Sequence, residues 1–305
     1  MHRFARVSAA VAVLALIHGC GGAEPPATPQ ASASPATTPT LDALRSASVA
    51  GVFATPVTLA NGRYDGPPAE AGAASHPSLT LWVPAVAFGD VDGAPGSEAV
   101  ALLSSNEGGS GEMVWVAVFG NRDGQLANLA TTQVGDRVRL QNLWLEQGRV
   151  VMDIVEPGPS DPACCPTQVS RRIYAFSGGT LQQQKSEVLG VLGVSLLTTN
   201  EWQLVSIDGE PLAKDARPPV IHFEHDGVRG FAGCNRFTAK VTDKSPGQLT
   251  IGPAAATKMA CPEPEMQLEA RFLGALEKST GYGFVAGQLA LTRSGEPGGT
   301  LLFSK

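Results

Sequence analysis

Gly230-Phe231-Ala232-Gly233-Cys234-Asn235-Arg236-Phe237, with Thr257-Lys258-Met259-Ala260-Cys261 after it, is the stretch on which the reading of this chain turns. The first segment lies inside a run from Val228 to Val241 that reads as a strand. Before it, Val220 to Glu224 alternates apolar and polar residues and Asp226-Gly227 supplies a turn. Leu249 to Ile251, Phe284 to Thr292 and Thr300 to Phe303 follow as further strands. One helix is expected, from about Pro264 to Ser279. Glu263 and Glu265 suit its positive N-terminal end, and Glu269, Phe272, Leu273 and Leu276 recur at helical spacing with the last three apolar. Lys278 and Gly281 suit its C-terminus.

Upstream the same strand-and-turn texture continues. From about Val52 to Val188, Val114 to Phe119 and Gln125 to Gln133 flank Asn121-Arg122-Asp123-Gly124, while Val138 to Leu145 and Val150 to Val155 flank Glu146-Gln147-Gly148. Both pairs read as hairpins in which Gly takes the positive backbone angle, and a third pair surrounds Gly178-Gly179. Trp82, Trp115 and Trp144 fall within these runs and read as core or half-buried sheet residues. A chain of 305 residues has room for two domains, and 35 Gly, 23 Pro and only 16% charged residues favour many short strands. The fold class expected is therefore mostly β, as two small β domains.

The N-terminus reads as an export signal. His2, Arg3 and Arg6 give a basic start and Val7 to Ile17 an uncharged apolar run, too short to span a bilayer. Ile17-His18-Gly19-Cys20 looks like a lipobox, so residues 1-19 would be removed and Cys20 lipidated, anchoring the chain to a membrane. In lipoproteins of this kind a residue other than Asp after the Cys, here Gly21, implies the outer membrane facing the periplasm. Residues 20-48 would form a Pro/Ala/Ser/Thr-rich tether, with a helical turn or two around Leu41-Asp42-Ala43-Leu44-Arg45. The net charge of −6 becomes more negative when Arg3 and Arg6 leave, which argues against nucleic acid as a partner.

Gly230 to Phe237 and Thr257 to Cys261, together with Trp202-Gln203-Leu204, Phe223, Ile251-Gly252-Pro253, Glu269, Leu276, Leu289-Ala290-Leu291 and Leu301-Leu302-Phe303, resemble in order and spacing the META (HslJ-like) domain, over 199-305. The resemblance implies a partly open antiparallel β-barrel closed by one α-helix, on envelope lipoproteins linked in some members to heat stress or antibiotic tolerance, with no established enzymatic activity. Residues 50-190 resemble, more distantly, an uncharacterised β-rich domain that often precedes META domains. Pro56-Val57-Thr58-Leu59, the Phe88 to Gly93 loop, Gly108 to Gly111, Gly135-Asp136-Arg137 and Cys164-Cys165-Pro166-Thr167 carry that likeness.

Beyond Cys20, four cysteines permit three connectivities in an oxidising compartment. Cys234 with Cys261 is the favoured bridge, because both lie in adjacent motif segments of one small domain. The adjacent Cys164 and Cys165 would then form a vicinal pair, read chiefly as a clamp on a Pro-rich loop and alternatively as a redox-responsive pair. Asp90-Val91-Asp92-Gly93-Ala94-Pro95-Gly96-Ser97-Glu98 resembles a calcium loop with the third ligand position occupied by Ala94. Asp90, Asp92 and Glu98 are thus a weak metal candidate beside the plainer reading of an Asp-Gly turn. His222, Glu224 and His225 would fall on opposite strand faces and read as solvent-facing. Ser110 lacks a nucleophile elbow, and no phosphate-loop or dinucleotide fingerprint occurs. No catalytic residue and no cofactor is expected. The function expected is non-enzymatic binding or structure in the periplasm, with a lipid, a peptide or an envelope protein as candidate ligand. The alternative is a metal-binding or redox-responsive envelope sensor or enzyme using the N-terminal domain.

Overall fold

A computed structural model describes residues 38–68, 75–162, 164–293 and 298–305. The expected signal peptide and Cys20 lie outside the described residues. Strands β1 (Ser78–Gly89), β2 (Glu98–Asn106), β3 (Met113–Arg122) and β4 (Gln125–Asp136) form an antiparallel sheet in chain order, with Arg63–Asp65 added at the β1 edge. A second meander contains β5 (Arg139–Glu146), β6 (Arg149–Glu156), β7 (Gln168–Ser177) and β8 (Thr180–Val191). The turns Asp123-Gly124, Gln147-Gly148 and Gly178-Gly179 carry positive φ at both residues, the two-residue geometry that matches strand twist. Pro84, which has no N–H for a ladder, sits where β1 breaks register against β2 between Leu81 and Val86.

The two sheets share one core. Val100, Leu102, Val114, Val116 and Val118 of the first meet Leu140, Val150, Met152, Ile154 and Tyr174 of the second. Alternation along β2 turns Ala99, Ala101 and Leu103 to the opposite face, where they would face water without a cover. Leu44, Ala47, Val49 and Leu59 provide that cover. Helix α1 (Leu41–Leu44) presents Leu44 and is capped by the Thr40 hydroxyl, which accepts from the Ala43 N–H at 3.1 Å. Residues 41–48 of the 20-48 segment read as tether are thus packed onto the domain, and burying a side chain such as Leu44 contributes about 2 kcal/mol. Trp82, Trp115 and Trp144 are half-buried. Two are fixed through indole N–H bonds, from Trp82 to Ser104 Oγ at 3.1 Å and from Trp115 to Ser105 Oγ at 2.8 Å.

After a 3-10 turn at Val194–Leu197 come β9 (Glu201–Ile207), β10 (Val220–Phe223), β11 (Gly227–Phe231), β12 (Arg236–Ser245), β13 (Gln248–Ile251), β14 (Gly281–Val285), β15 (Gln288–Arg293) and β16 (Gly299–Ser304). They pair in this order, and β16 returns to β9 from Gln203↔Ser304 to Ile207↔Leu301, so the circuit closes. The partly open barrel expected is thus a closed one. Its narrowest seam is between β13 and β14, which share the single pair Gln248↔Gly281. Helix α2 (Glu263–Leu276) buries Phe272, Ala275 and Leu276.

Two expected strands are each divided. The run Val228 to Val241 becomes β11 and β12, because Gly233 adopts φ +110 in the turn between them. Phe284 to Thr292 becomes parts of β14 and β15, with Ala286 at φ 50 and Gly287 at φ 83 forming a tight hairpin. Trp202, Phe223, Phe237, Phe272, Leu289 and Phe303 fill the lumen, and the Trp202 indole donates to Leu197 O at 3.0 Å. Val155 and Val169, from the second meander, pack into this same barrel core. At that junction the Gly287 N–H donates to Leu140 O, and Lys305 Nζ donates to Gln141 O and Asn142 Oδ1, each at 3.0 Å.

Candidate functional site

The motif residues that dominate the sequence converge where α2 meets the barrel wall. Asn235 is almost fully buried. Its backbone N–H donates to Glu269 Oε2 at 2.6 Å, and its side-chain amide donates to Glu269 Oε1 at 3.2 Å and to Met259 O at 3.4 Å. Its amide oxygen accepts from Thr257 Oγ1 and from the Met259 N–H, both at 2.8 Å. One side chain thus ties the β11–β12 turn, the Thr257–Met259 segment and the helix together. Cys234 and Cys261 are bonded across the same place, with Cα atoms 6.0 Å apart. Closing that loop contributes about 3.5 kcal/mol on a chain-entropy basis. Buried groups so fully partnered have no valence left for a substrate, so this constellation is an anchor rather than a reactive centre.

Asp90, Asp92 and Glu98 do come together: one carboxylate oxygen from each lies within 4.8 Å of the others. Glu98 is buried and accepts from the Val91 N–H at 3.1 Å. Asp90 accepts from the Gly93 N–H at 2.7 Å, and Asp92 accepts from the Ala94 N–H at 2.8 Å and pairs with Arg122. The oxygen-only donor set suits a hard cation such as calcium, which would have to displace Arg122 from Asp92. Among the described residues this is the one grouping of at least three potential metal ligands, and His222, Glu224 and His225 do not form another. Glu224 is instead paired with Arg229 at 2.5 Å.

Cys164 and Cys165 are bonded to each other on the exposed connection between β6 and β7. Asp161 in that connection accepts from the backbone N–H groups of Gly158 at 2.8 Å and Thr167 at 2.6 Å. The Gly158 N–H, then the Thr167 hydroxyl, hold its carboxyl below the usual carboxylate range. Cys165 also lines a cavity of about 370 Å³ between the second meander and the barrel, with Arg139, Leu192, Tyr282 and Phe284. Burial, reinforced by the charge of Asp243, raises the Tyr282 phenol above its ordinary value and keeps it neutral. Ser110 lies in a loop where its carbonyl accepts from Arg137 at 3.1 Å.

Two further features lay beyond sequence reasoning. A groove of about 490 Å³ runs between the loop at Glu210–Arg217 and the start of α2. A cavity of about 330 Å³ on the barrel wall is lined by Arg217, Arg229, Arg236, His222 and Phe231. The arginines are scattered in the sequence and gather only through the pairing of β10, β11 and β12 and the path of the loop before β10, so no spacing signal could have disclosed them.

Over its C-terminal part the chain is similar to known proteins. A family model described as META domain matches residues 195–305. Heat shock protein HslJ of Escherichia coli (strain K12) is 30% identical over 96 residues, covering 31% of this chain and 68% of that protein. An NMR structure of a protein from Burkholderia xenovorans is 28% identical, covers 36% of this chain and 84% of its own, and has a TM-score of 0.31. Another NMR structure is 27% identical over 36% of this chain and 92% of its own, with a TM-score of 0.30. By its match to HslJ and to the META domain model, the chain belongs to the META domain family.

Proposed function

We propose that this chain is an envelope lipoprotein, cleaved before Cys20 and acylated there, that faces the periplasm from the outer membrane and acts by binding rather than by catalysis. The reading of its N-terminus supports the address, and the name of its relative, a heat shock protein, supports a role under envelope stress. The observation that carries the mode of action is the packing of the barrel. Trp202, Phe223, Phe272 and Phe303 are fully buried in its core, so a ligand is taken on the outside rather than in the lumen. Intact-mass spectrometry of the membrane-extracted protein tests the address: the expected mass is that of a chain starting at Cys20 with a diacylglyceryl group and an amide-linked acyl chain. An unmodified Cys20 would overturn it.

A second reading is favoured by one observation, the convergence of Asp90, Asp92 and Glu98, which gives the N-terminal domain the means to respond to a divalent cation. Millimolar calcium should then raise the melting temperature, and Asp90→Asn should abolish the rise. An unchanged melting temperature would leave the loop an Asp-Gly turn closed by Arg122.

A further inference from the structure

From the cavity on the outer barrel wall we infer that this protein has a phosphate-binding site built by Arg217 and Arg236 around Phe231. Inward-facing Ile221, Phe223, Val228 and Phe237 are buried, so the alternate residues His222, Arg229, Phe231 and Arg236 face outward. Register places Arg229 opposite His222 and Phe231 opposite Arg236. Arg217 reaches the same spot from the loop before β10, with its guanidinium 4.0 Å from the centre of the Phe231 ring. Arg217, His222, Arg229, Phe231 and Arg236 line one cavity of about 330 Å³.

The charge balance of this cavity differs from that of the whole molecule. The chain carries a net charge of −6, yet this wall gathers three arginines and a single lining acid, Glu201. Arg229 is neutralised by Glu224. Among the described residues neither the Arg217 nor the Arg236 guanidinium has a carboxylate partner. Stacking on a ring orients a guanidinium without consuming its N–H donors, so Arg217 is held in place with its hydrogen-bonding capacity intact. A tetrahedral phosphoryl group offers acceptors in several directions at once and can meet two arginines that line one cavity. A planar carboxylate is served by one fork. The cavity is larger than a phosphate alone, and Arg217 also lines the adjoining groove that contains Leu212, Pro262 and Leu268. The phosphoryl group can therefore come from free phosphate or from a lipid headgroup whose body follows that groove.

The test is calorimetric titration of the full chain with inorganic phosphate, with dihexanoylphosphatidic acid below its micellar concentration, and with acetate. Arg217→Gln and Arg236→Gln are titrated beside Arg149→Gln, a change on β6 remote from the cavity. Each cavity variant should weaken binding about tenfold through loss of a charge-assisted pair, with an unchanged melting temperature, and Arg149→Gln should bind normally. Binding of inorganic phosphate identifies the phosphoryl group itself as sufficient, and binding of the phosphatidic acid alone identifies a headgroup as the source. No binding of either probe, equal binding of acetate, or binding indifferent to both cavity variants would overturn the site.

Discussion

Replacing Asn235 by Ala should destabilise the barrel out of proportion to the few atoms removed. The side chain makes two bonds at 2.8 Å, from Thr257 Oγ1 and the Met259 N–H, and two longer ones to Glu269 Oε1 and Met259 O. At roughly 1 kcal/mol net for each of the two short bonds, and about 1.5 kcal/mol for the bond to the charged carboxylate, the loss comes to about 3–4 kcal/mol. Glu269→Gln keeps an acceptor in place and exchanges a charge-assisted bond for a neutral one, so it should cost only about 1 kcal/mol. Urea unfolding with the disulfides intact, followed by tryptophan fluorescence, measures both. A loss below 1 kcal/mol for Asn235→Ala, or equal losses for the two variants, would refute the view that the amide is the hub.

Replacing Cys234 and Cys261 together by Ser should cost about 3 kcal/mol, read by the same unfolding experiment. Mild reductant should liberate the thiols of the exposed Cys164 and Cys165 before those of the bridge containing the buried Cys234, as thiol counting with a chromogenic disulfide would show. Gly230→Ala should be among the most damaging single changes, because an added Cβ would lie 1.9 Å from Val220 O in the neighbouring strand. A loss of about 3 kcal/mol or more, or failure to fold, is expected in thermal melts. Because its folded-state carboxyl titrates below the ordinary range, Asp161 adds stability at neutral pH that disappears as pH falls through the depressed value. Asp161→Asn should flatten the melting-temperature profile below about pH 4, and a profile identical to the parent's would remove the argument.

Much of the fold was legible because strands announce themselves by alternation and turns by glycine. The hairpins around Asp123-Gly124, Gln147-Gly148 and Gly178-Gly179, and the helix carrying Phe272 and Leu276, needed only local signals. What local signals could not supply was the break inside apolar runs. Ala232–Asn235 and Ala286-Gly287 lie within longer runs that read as single strands, and the turn depends on backbone angles that glycine permits without demanding. Closure was hidden for a different reason. Gln203 and Ser304 belong to the opposite ends of the barrel segment, and nothing near either residue records the other. Of the candidate sites, the carboxylates Asp90, Asp92 and Glu98 and the adjacent Cys164 and Cys165 were visible as clusters in the chain, and Cys234 and Cys261 through the motif segments that hold them. The arginines around Phe231 were not, since their proximity is a product of register.

Val155 and Val169 belong to the meander by covalent connection and to the barrel by packing. The segment that defines the family, residues 195–305, is therefore not a freely exchangeable part of this molecule. A recombination event that replaced it with another member's barrel would present those two valines to a surface that had not evolved beside them. Viable crossovers should be those that carry the second meander along with the barrel.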